Sequence, residues 1–135
     1  MIRVAAALLL LTVPASAQGG QVSEAGTAFM RHCLADVTEA RVALLKEKAP
    51  DFAATLSEEQ LVEGARQKAM RACPCFLHII GVSPLSEGGT PEEKVASVVA
   101  WLGAEDGMSM PPVLATITKN CGERSSVLPP RWLGQ

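Results

Sequence analysis

The segment "RACPCFLHIIGV" (residues 71–82) decides the fold, because it places two cysteines, Cys73 and Cys75, on either side of one proline. The chain of 135 residues has four cysteines, and the other two are Cys33 and Cys121. A bond between the two neighbouring cysteines would close a small, strained ring with the proline inside it. We therefore expect each of them to bond to a distant cysteine, which would fasten three separate segments together.

The preferred pairing is Cys33 with Cys73 and Cys75 with Cys121, because Cys73 continues the apolar stripe of its predicted helix. The exchanged pairing, in which Cys33 bonds to Cys75 and Cys73 bonds to Cys121, stays open at this point. Each bond would close a loop of about 40 to 50 residues and stabilise the fold by roughly 4 kcal/mol in the chain-entropy model.

The N-terminal segment "MIRVAAALLLLTVPASAQ" predicts an oxidising destination. It has one basic residue, Arg3, then an apolar run, and then small residues before Gln18, which is the layout of a cleavable secretory signal. The apolar run is too short to cross a bilayer as a helix. We expect residues 1–17 to be a signal peptide and the mature protein to be periplasmic or secreted, where an even number of cysteines is typical of a disulfide framework.

The composition favours helices. Aromatic residues make up 4% of the chain and hydrophobic residues 48%, so the core has to be built mainly from aliphatic side chains, and alanine is abundant. Apolar residues recur at steps of three and four in segments that begin near residues 23, 57, 91 and 111. Ser57 with Gln60 predicts a capping box, and Thr90 before Pro91 predicts another helix start. Pro74 should kink its helix or restart it.

These patterns predict an all-α protein, a small bundle of four to five helices stapled by two disulfides after a cleaved signal peptide. We expect the helical domain to span residues 18–122 and an extended C-terminal tail to span residues 123–135. The formal net charge of −2 gives no reason to expect a nucleic acid as a partner. No segment besides the signal is apolar and long enough to be a membrane span.

Redox and metal chemistry are the alternatives for the cysteines. A redox dithiol usually lies on a thioredoxin-like βαβ unit, and the sequence shows none. Thioether, imidazole and thiolate ligands together would suit Cu(I), and the candidates besides the cysteines are Met30, Met70, Met108, Met110, His32 and His78. Methionine on an apolar stripe is ordinary core filling, however, and a lone histidine beside "II" is more often packed in the core. We predict no catalytic residue, no metal site and no cofactor.

A protein partner is the remaining expectation. Four regions are candidate contact surfaces: the helix before Pro74, the loops "SPLSEGG" (residues 83–89) and "GAEDGMSM" (residues 103–110), and the tail. The candidate partner-binding residues are Met108, Met110, Leu128 and Trp132. The alternative for the tail is that it packs back on its own bundle.

Three motifs carry a resemblance to a known family: "CFLHIIGV" (residues 75–82), "TPEEKVASVVAWL" (residues 90–102) and "PPVLATITKNC" (residues 111–121). Over about residues 71–122 the chain resembles the small periplasmic Tai/Rap immunity proteins of type VI secretion. His78 departs from the family pattern, which has an aromatic residue there, and the segment between Cys33 and Cys73 is longer than expected. The resemblance implies an all-helical, disulfide-bonded and often dimeric protein that neutralises a toxic effector by binding it.

The expected function is therefore that of a non-enzymatic exported protein that acts by protein–protein binding, with an immunity or inhibitor role as the first hypothesis and a homodimer as an expected assembly. Two alternatives remain from the sequence. One is a periplasmic acid-stress chaperone, which shares the helical, cysteine-stapled character. The other is a periplasmic Cu(I)-binding protein.

Overall fold

A computed structural model describes residues 23–104 and 108–135, and within these ranges the fold is entirely helical. The expected all-α class is thus confirmed, while the expected signal peptide lies outside the described residues. Five α-helices are followed by two short 3-10 helices in the C-terminal segment. The α-helices are α1 (Glu24–Lys48), α2 (Pro50–Ala54), α3 (Glu58–Val82), α4 (Pro91–Gly103) and α5 (Leu114–Cys121), and the 3-10 helices are Gly122–Ser125 and Pro130–Leu133.

The two longest helices, α1 and α3, form an antiparallel hairpin. Each has 25 residues, which corresponds to a length of about 37 Å. Cys33 of α1 lies beside Cys73 of α3, with their Cα atoms 5.9 Å apart. Further along, Lys46 Nζ lies 3.0 Å from Glu58 Oε2. The disulfide fixes the register of the hairpin, the ion pair agrees with that register, and α2 makes the connection at the closed end.

Helix α4 covers only part of this hairpin. It starts beside the first turn of α1, where the backbone amide of Ala25 donates a hydrogen bond to Glu92 Oε1 at 3.2 Å. Its 13 residues span about 20 Å, so α1 continues well beyond it. The apolar stripe of α1 is buried as far as Val37, but Leu44 further along is 37% exposed. We call the uncovered end of the hairpin, residues 39–66, the hairpin arm.

The predicted helix starts are present. Ser57 Oγ accepts a hydrogen bond from the Gln60 amide, and Gln60 Oε1 accepts one from the Ser57 amide. Thr90 and Glu93 make the same reciprocal pair at the start of α4. Each box satisfies amides that a helix leaves without partners at its N-terminus. Local sequence therefore sets where α3 and α4 begin.

Helix α3 continues through Pro74, so the expected restart of the helix does not occur. A proline inside a helix removes the hydrogen bond to the carbonyl four residues earlier, here that of Met70. Both Pro74 and Met70 are exposed, so water can hydrate this carbonyl. Cys73 and Cys75 on either side of the proline are bonded to other helices, which holds this turn in place.

The two disulfides have the preferred connectivity, Cys33–Cys73 and Cys75–Cys121, and that prediction is confirmed. Their surroundings differ. Cys33 and Cys73 are completely buried, whereas Cys75 is partly exposed. The first bond fastens α1 to α3 inside the core, and the second ties α3 to the end of α5 near the surface.

Trp132 occupies the centre of the core. Its ring centroid lies 6.0 Å from that of Phe29 on α1 and 6.0 Å from that of Phe76 on α3. Its indole Nε1 donates a hydrogen bond to Asp36 Oδ2 at 3.4 Å. Aromatic rings at such distances contribute beyond the area that they bury. Because the chain has few aromatic residues, this cluster supplies much of the large-side-chain packing of the bundle.

The expectation of an extended tail over residues 123–135 is wrong. The segment forms the two 3-10 helices and packs back on the bundle, which was the alternative for the tail. Leu128 and Trp132 are buried as a result. The cause lies in tertiary packing, because the aromatic cluster and the end of α4 both receive side chains from this segment.

Arg131 joins the C-terminal segment to the end of α4. Its guanidinium donates to the carbonyls of Leu102 at 3.0 Å, Trp101 at 2.6 Å and Ala104 at 3.1 Å. It also lies 4.5 Å from the centroid of the Trp101 ring. Carbonyls in the last turn of a helix lack partners within it, and a positive charge there is favourable. Arg131 therefore serves as the C-terminal cap of α4.

None of the helices in the described ranges is long and apolar enough to cross a membrane.

Limited reduction should open the two disulfides in order. We expect Cys75 and Cys121 to be alkylated before Cys33 and Cys73, since a reductant reaches the partly exposed bond more readily than the buried one. Timed alkylation followed by peptide mass spectrometry measures this order. Equal labelling of all four cysteines at every time point would contradict the burial difference.

Replacing Arg131 with alanine should lower the free energy of unfolding by about 1.5–3 kcal/mol, because three carbonyls lose a charged donor. Arg131→Lys should recover only part of this loss, since an ammonium lacks the planar fork of donors. Urea unfolding followed by tryptophan fluorescence measures the change. The matched control is Arg124→Ala, an exposed arginine in the same segment, which should stay within about 0.5 kcal/mol of the unaltered protein. Equal effects of the two alanine substitutions would show that the cap contributes nothing.

Candidate protein-binding surfaces

Two apolar surfaces of the described residues are open to solvent. The first is a groove between α1 and α3 on the hairpin arm, which we call the arm groove. The second lies at the opposite end of the hairpin, where α3 ends and α4 begins, and we call it the loop face. Both are built on helices that the disulfides hold in fixed positions.

The arm groove has a volume of about 580 Å³. Its floor is aliphatic, with Val42 from α1 facing Val62 from α3, and Val62 is 39% exposed. Behind this floor the two helices pack through small side chains such as the buried Ala65. The two helices of the arm therefore lie close together, and no other helix packs on the apolar side that forms the groove. The lining residues are Leu34, Ala35, Thr38, Glu39, Val42, Ala43, Lys46, Glu58, Val62 and Arg66.

Charged side chains border this groove on both helices. Glu39 and Lys46 come from α1, and Glu58 and Arg66 come from α3. Lys46 and Glu58 pair across the groove at 3.0 Å, with both side chains at least half exposed. An exposed pair of this kind adds little stability, about 0–1 kcal/mol.

The groove also contains a polar group that the described residues leave unsatisfied. Thr38 Oγ1 is buried and has no hydrogen-bond partner among them. A buried hydroxyl without a partner is unfavourable.

The loop face surrounds a depression of about 670 Å³ between the start of α1, the end of α3 and the start of α4. Val82, 57% exposed, lines the depression, and Leu85, 49% exposed, follows in the adjoining loop. Gly81 lies where α3 meets the start of α4, and a Cβ there would make an ordinary van der Waals contact of 3.5 Å with Pro91 Cβ. The lining residues are Ser23, Gly26, Leu77, His78, Gly81, Val82, Thr90, Pro91, Glu92 and Val95.

The loop that carries Leu85 is held by its own hydrogen bonds. Ser86 Oγ donates to the carbonyl of Ile80 at 2.6 Å, and Ser83 Oγ accepts from the Leu85 amide at 3.1 Å. Gly88 has a backbone φ of 127°, a value that residues other than glycine rarely adopt. A Cβ there would also lie 2.7 Å from Glu93 Cβ. The exposed leucine thus stands on an ordered loop, which reduces the entropy lost when a partner binds.

The structure separates the four residues predicted to bind a partner. Leu128 and Trp132 are buried in the core, so their expected role as direct contacts is wrong. Met110 is partly buried and packs against the core, with its Sδ 3.9 Å from where a Cβ of Gly134 would lie. Met108 is 53% exposed, and its role in binding stays a prediction. Residues 105–107 of the same predicted loop lie outside the described residues.

The cysteine chemistry is settled by the two bonds. All four cysteines are paired, so none can serve as a thiolate ligand for Cu(I), as a nucleophile or as a reduced dithiol. His78 is exposed on the loop face and is not packed in the core as expected. In the described ranges, no group of three or more histidine, cysteine, aspartate or glutamate residues could hold a metal ion.

The sequence predicts a contact surface on the helix before Pro74, but it does not predict the arm groove. One side of the groove could have been predicted from the sequence. Val62 is apolar but lies outside the buried stripe of Leu61, Ala65 and Ala69, which indicates an exposed apolar position. The side of the groove that α1 forms could not be predicted in the same way, because it depends on how α1 packs against α3.

Comparisons with protein-family models, with characterised proteins and with solved structures gave no significant match to the chain.

Proposed function

We propose that this protein is exported, is not an enzyme, and acts by binding another protein through the loop face. The observation that carries the proposal is the pair of exposed aliphatic side chains, Val82 and Leu85, beside an apolar depression on a cross-linked scaffold. Exposed apolar residues that surround a concave surface are typical of protein-binding sites. The two disulfides fit an oxidising compartment outside the cytosol, and we propose the periplasm.

The partner that we propose first is a toxic effector, which the protein neutralises by occupying it. The support is the resemblance of residues 71–122 to the Tai/Rap immunity proteins, whose motif ends in this chain at Gly81 and Val82. Both residues line the depression of the loop face. The part of the chain that carries the resemblance therefore also supplies part of the proposed contact surface.

The charge of the loop face indicates the chemistry of the partner surface. Among the lining residues, Glu92 is acidic and none is lysine or arginine. Two further acidic residues, Glu24 and Glu87, are exposed on the adjoining helix start and loop. We therefore propose that the partner presents apolar side chains with basic residues beside them, which gives electrostatic complementarity.

Substituting the two exposed residues should weaken binding without unfolding the protein. We expect Val82→Arg with Leu85→Arg to lower the affinity for a candidate effector taken from the genomic neighbourhood by at least about 30-fold, because two residues at an interface centre each contribute more than about 1 kcal/mol. Isothermal titration calorimetry measures the affinity, and co-expression with the effector measures protection of growth. The matched control is Phe52→Arg, an exposed apolar residue on α2 at the far end of the hairpin.

Two results would contradict the proposal in different ways. If the unaltered protein neither binds the effector nor protects growth, neutralisation is wrong. If it protects but the double variant protects equally well, the loop face is the wrong surface. Suppression of aggregation of unrelated proteins at low pH, without effector binding, would favour the chaperone alternative instead.

A further inference from the structure

We propose that the arm groove binds the arm groove of a second copy of this chain, so that the protein is a twofold symmetric dimer. The family resemblance implies a dimer but no particular interface, whereas the lining of the groove indicates which surface the two copies share. The proposal is independent of effector binding, because the loop face lies at the other end of the hairpin and stays free in such a dimer.

One apolar side of the hairpin arm is not covered by another helix. Within the core, the space between α1 and α3 is covered by α4, α5 and the C-terminal segment. Beyond Val37 the hairpin continues for several turns with its aliphatic floor open, and Val62 lies in the middle of that floor. Two helices that present one apolar side can bury it by packing on two more, which gives a four-helix arrangement.

Charged side chains stand in register around the groove. Lys46 and Glu58 face each other at the outer end, 3.0 Å apart. Glu39 lies seven residues before Lys46 on α1, and Arg66 lies eight residues after Glu58 on the antiparallel α3. Both steps correspond to about 10–12 Å along a helix, so Glu39 and Arg66 lie level with each other at the inner end.

The four charges therefore alternate in sign around the groove. Following the corners in order, they are Glu39, Lys46, Glu58 and Arg66: negative, positive, negative, positive. When two such faces meet with their helices aligned, as in a four-helix bundle, the twofold axis lies in the plane of contact and runs either along the helices or across them. Either rotation places every corner on a neighbouring corner of the other copy, which has the opposite sign. The groove is thus complementary to itself at all four corners.

This pattern favours a second copy over an unrelated partner. The four charges sum to zero, so the groove attracts neither an acidic nor a basic surface as a whole. A rotated copy presents an opposite charge to every corner, as a twofold interface demands, and it does so beside the pairs of Lys46 with Glu58 and of Arg66 with Glu63 that each chain already makes.

The test is the molar mass of the oxidised mature chain in solution. We expect light scattering coupled to size exclusion to give twice the chain mass at micromolar concentrations, and Val62→Arg to give a monomer with unchanged helical circular dichroism. Phe52→Arg, exposed at the tip of the arm but outside the groove, should remain a dimer. A monomeric unaltered protein, or a Val62→Arg variant that is still dimeric, would overturn the proposal.

Charge exchange within the groove then identifies the axis. The first variant exchanges the signs at the inner end, Glu39→Lys with Arg66→Glu. If the axis runs along the helices, every charge contact between the two copies stays attractive. If the axis runs across the helices, every such contact becomes repulsive. Exchanging the signs on α3, Glu58→Lys with Arg66→Glu, has the reverse effect. One exchanged variant should therefore dimerise and the other should not. Loss of the dimer in both variants, or its persistence in both, would refute the charge-matched interface.

Dimerisation and effector binding can be tested separately with the same variants. The loop-face variant, Val82→Arg with Leu85→Arg, should remain a dimer whether or not an effector is found. A monomeric Val62→Arg protein should still bind an effector with unchanged affinity per chain. A loop-face variant that is monomeric would mean that the second copy binds at the other end of the hairpin, and the arm-groove proposal would be wrong.

Discussion

The fold depends on the directions in which two cysteines leave one helix. Cys73 and Cys75 are two residues apart on α3, so their side chains point about 200° apart around its axis. One bond therefore holds α1 and the other holds the end of α5, on different sides of the same helix turn. This arrangement places α3 in the middle of the bundle, and it also explains why the turn that contains Pro74 stays helical.

A difference in helix length decides where the surfaces lie. Helix α4 is about half as long as the helices it packs on. It therefore covers only one part of the hairpin, and the hairpin arm has no helix packed on the side that forms the groove. The aromatic cluster around Trp132 completes the covered part, and Arg131 closes the end of α4 beside it. Both candidate surfaces are consequences of this uneven coverage, since one lies beyond the reach of α4 and the other surrounds its start.

Much of the fold could be predicted from the sequence, because local chemistry determines it. The boxes at Ser57 and Thr90 set helix starts, and the stripe through Cys73 favoured the observed pairing. The features that escaped prediction depend on contacts between distant segments. The prolines after Leu128 favoured an extended tail, but the space between Phe29 and Phe76 receives Trp132 and folds the segment back. The arm groove likewise exists only because two helices, each ordinary in sequence, are set side by side.

The connectivity of the disulfides has a consequence for oxidative folding. The bonds join the cysteines in chain order, the first with the second and the third with the fourth, so the two loops neither overlap nor nest. Oxidation of the cysteines in the order in which they occur along the chain would therefore give both native bonds, with no non-native bond to be exchanged.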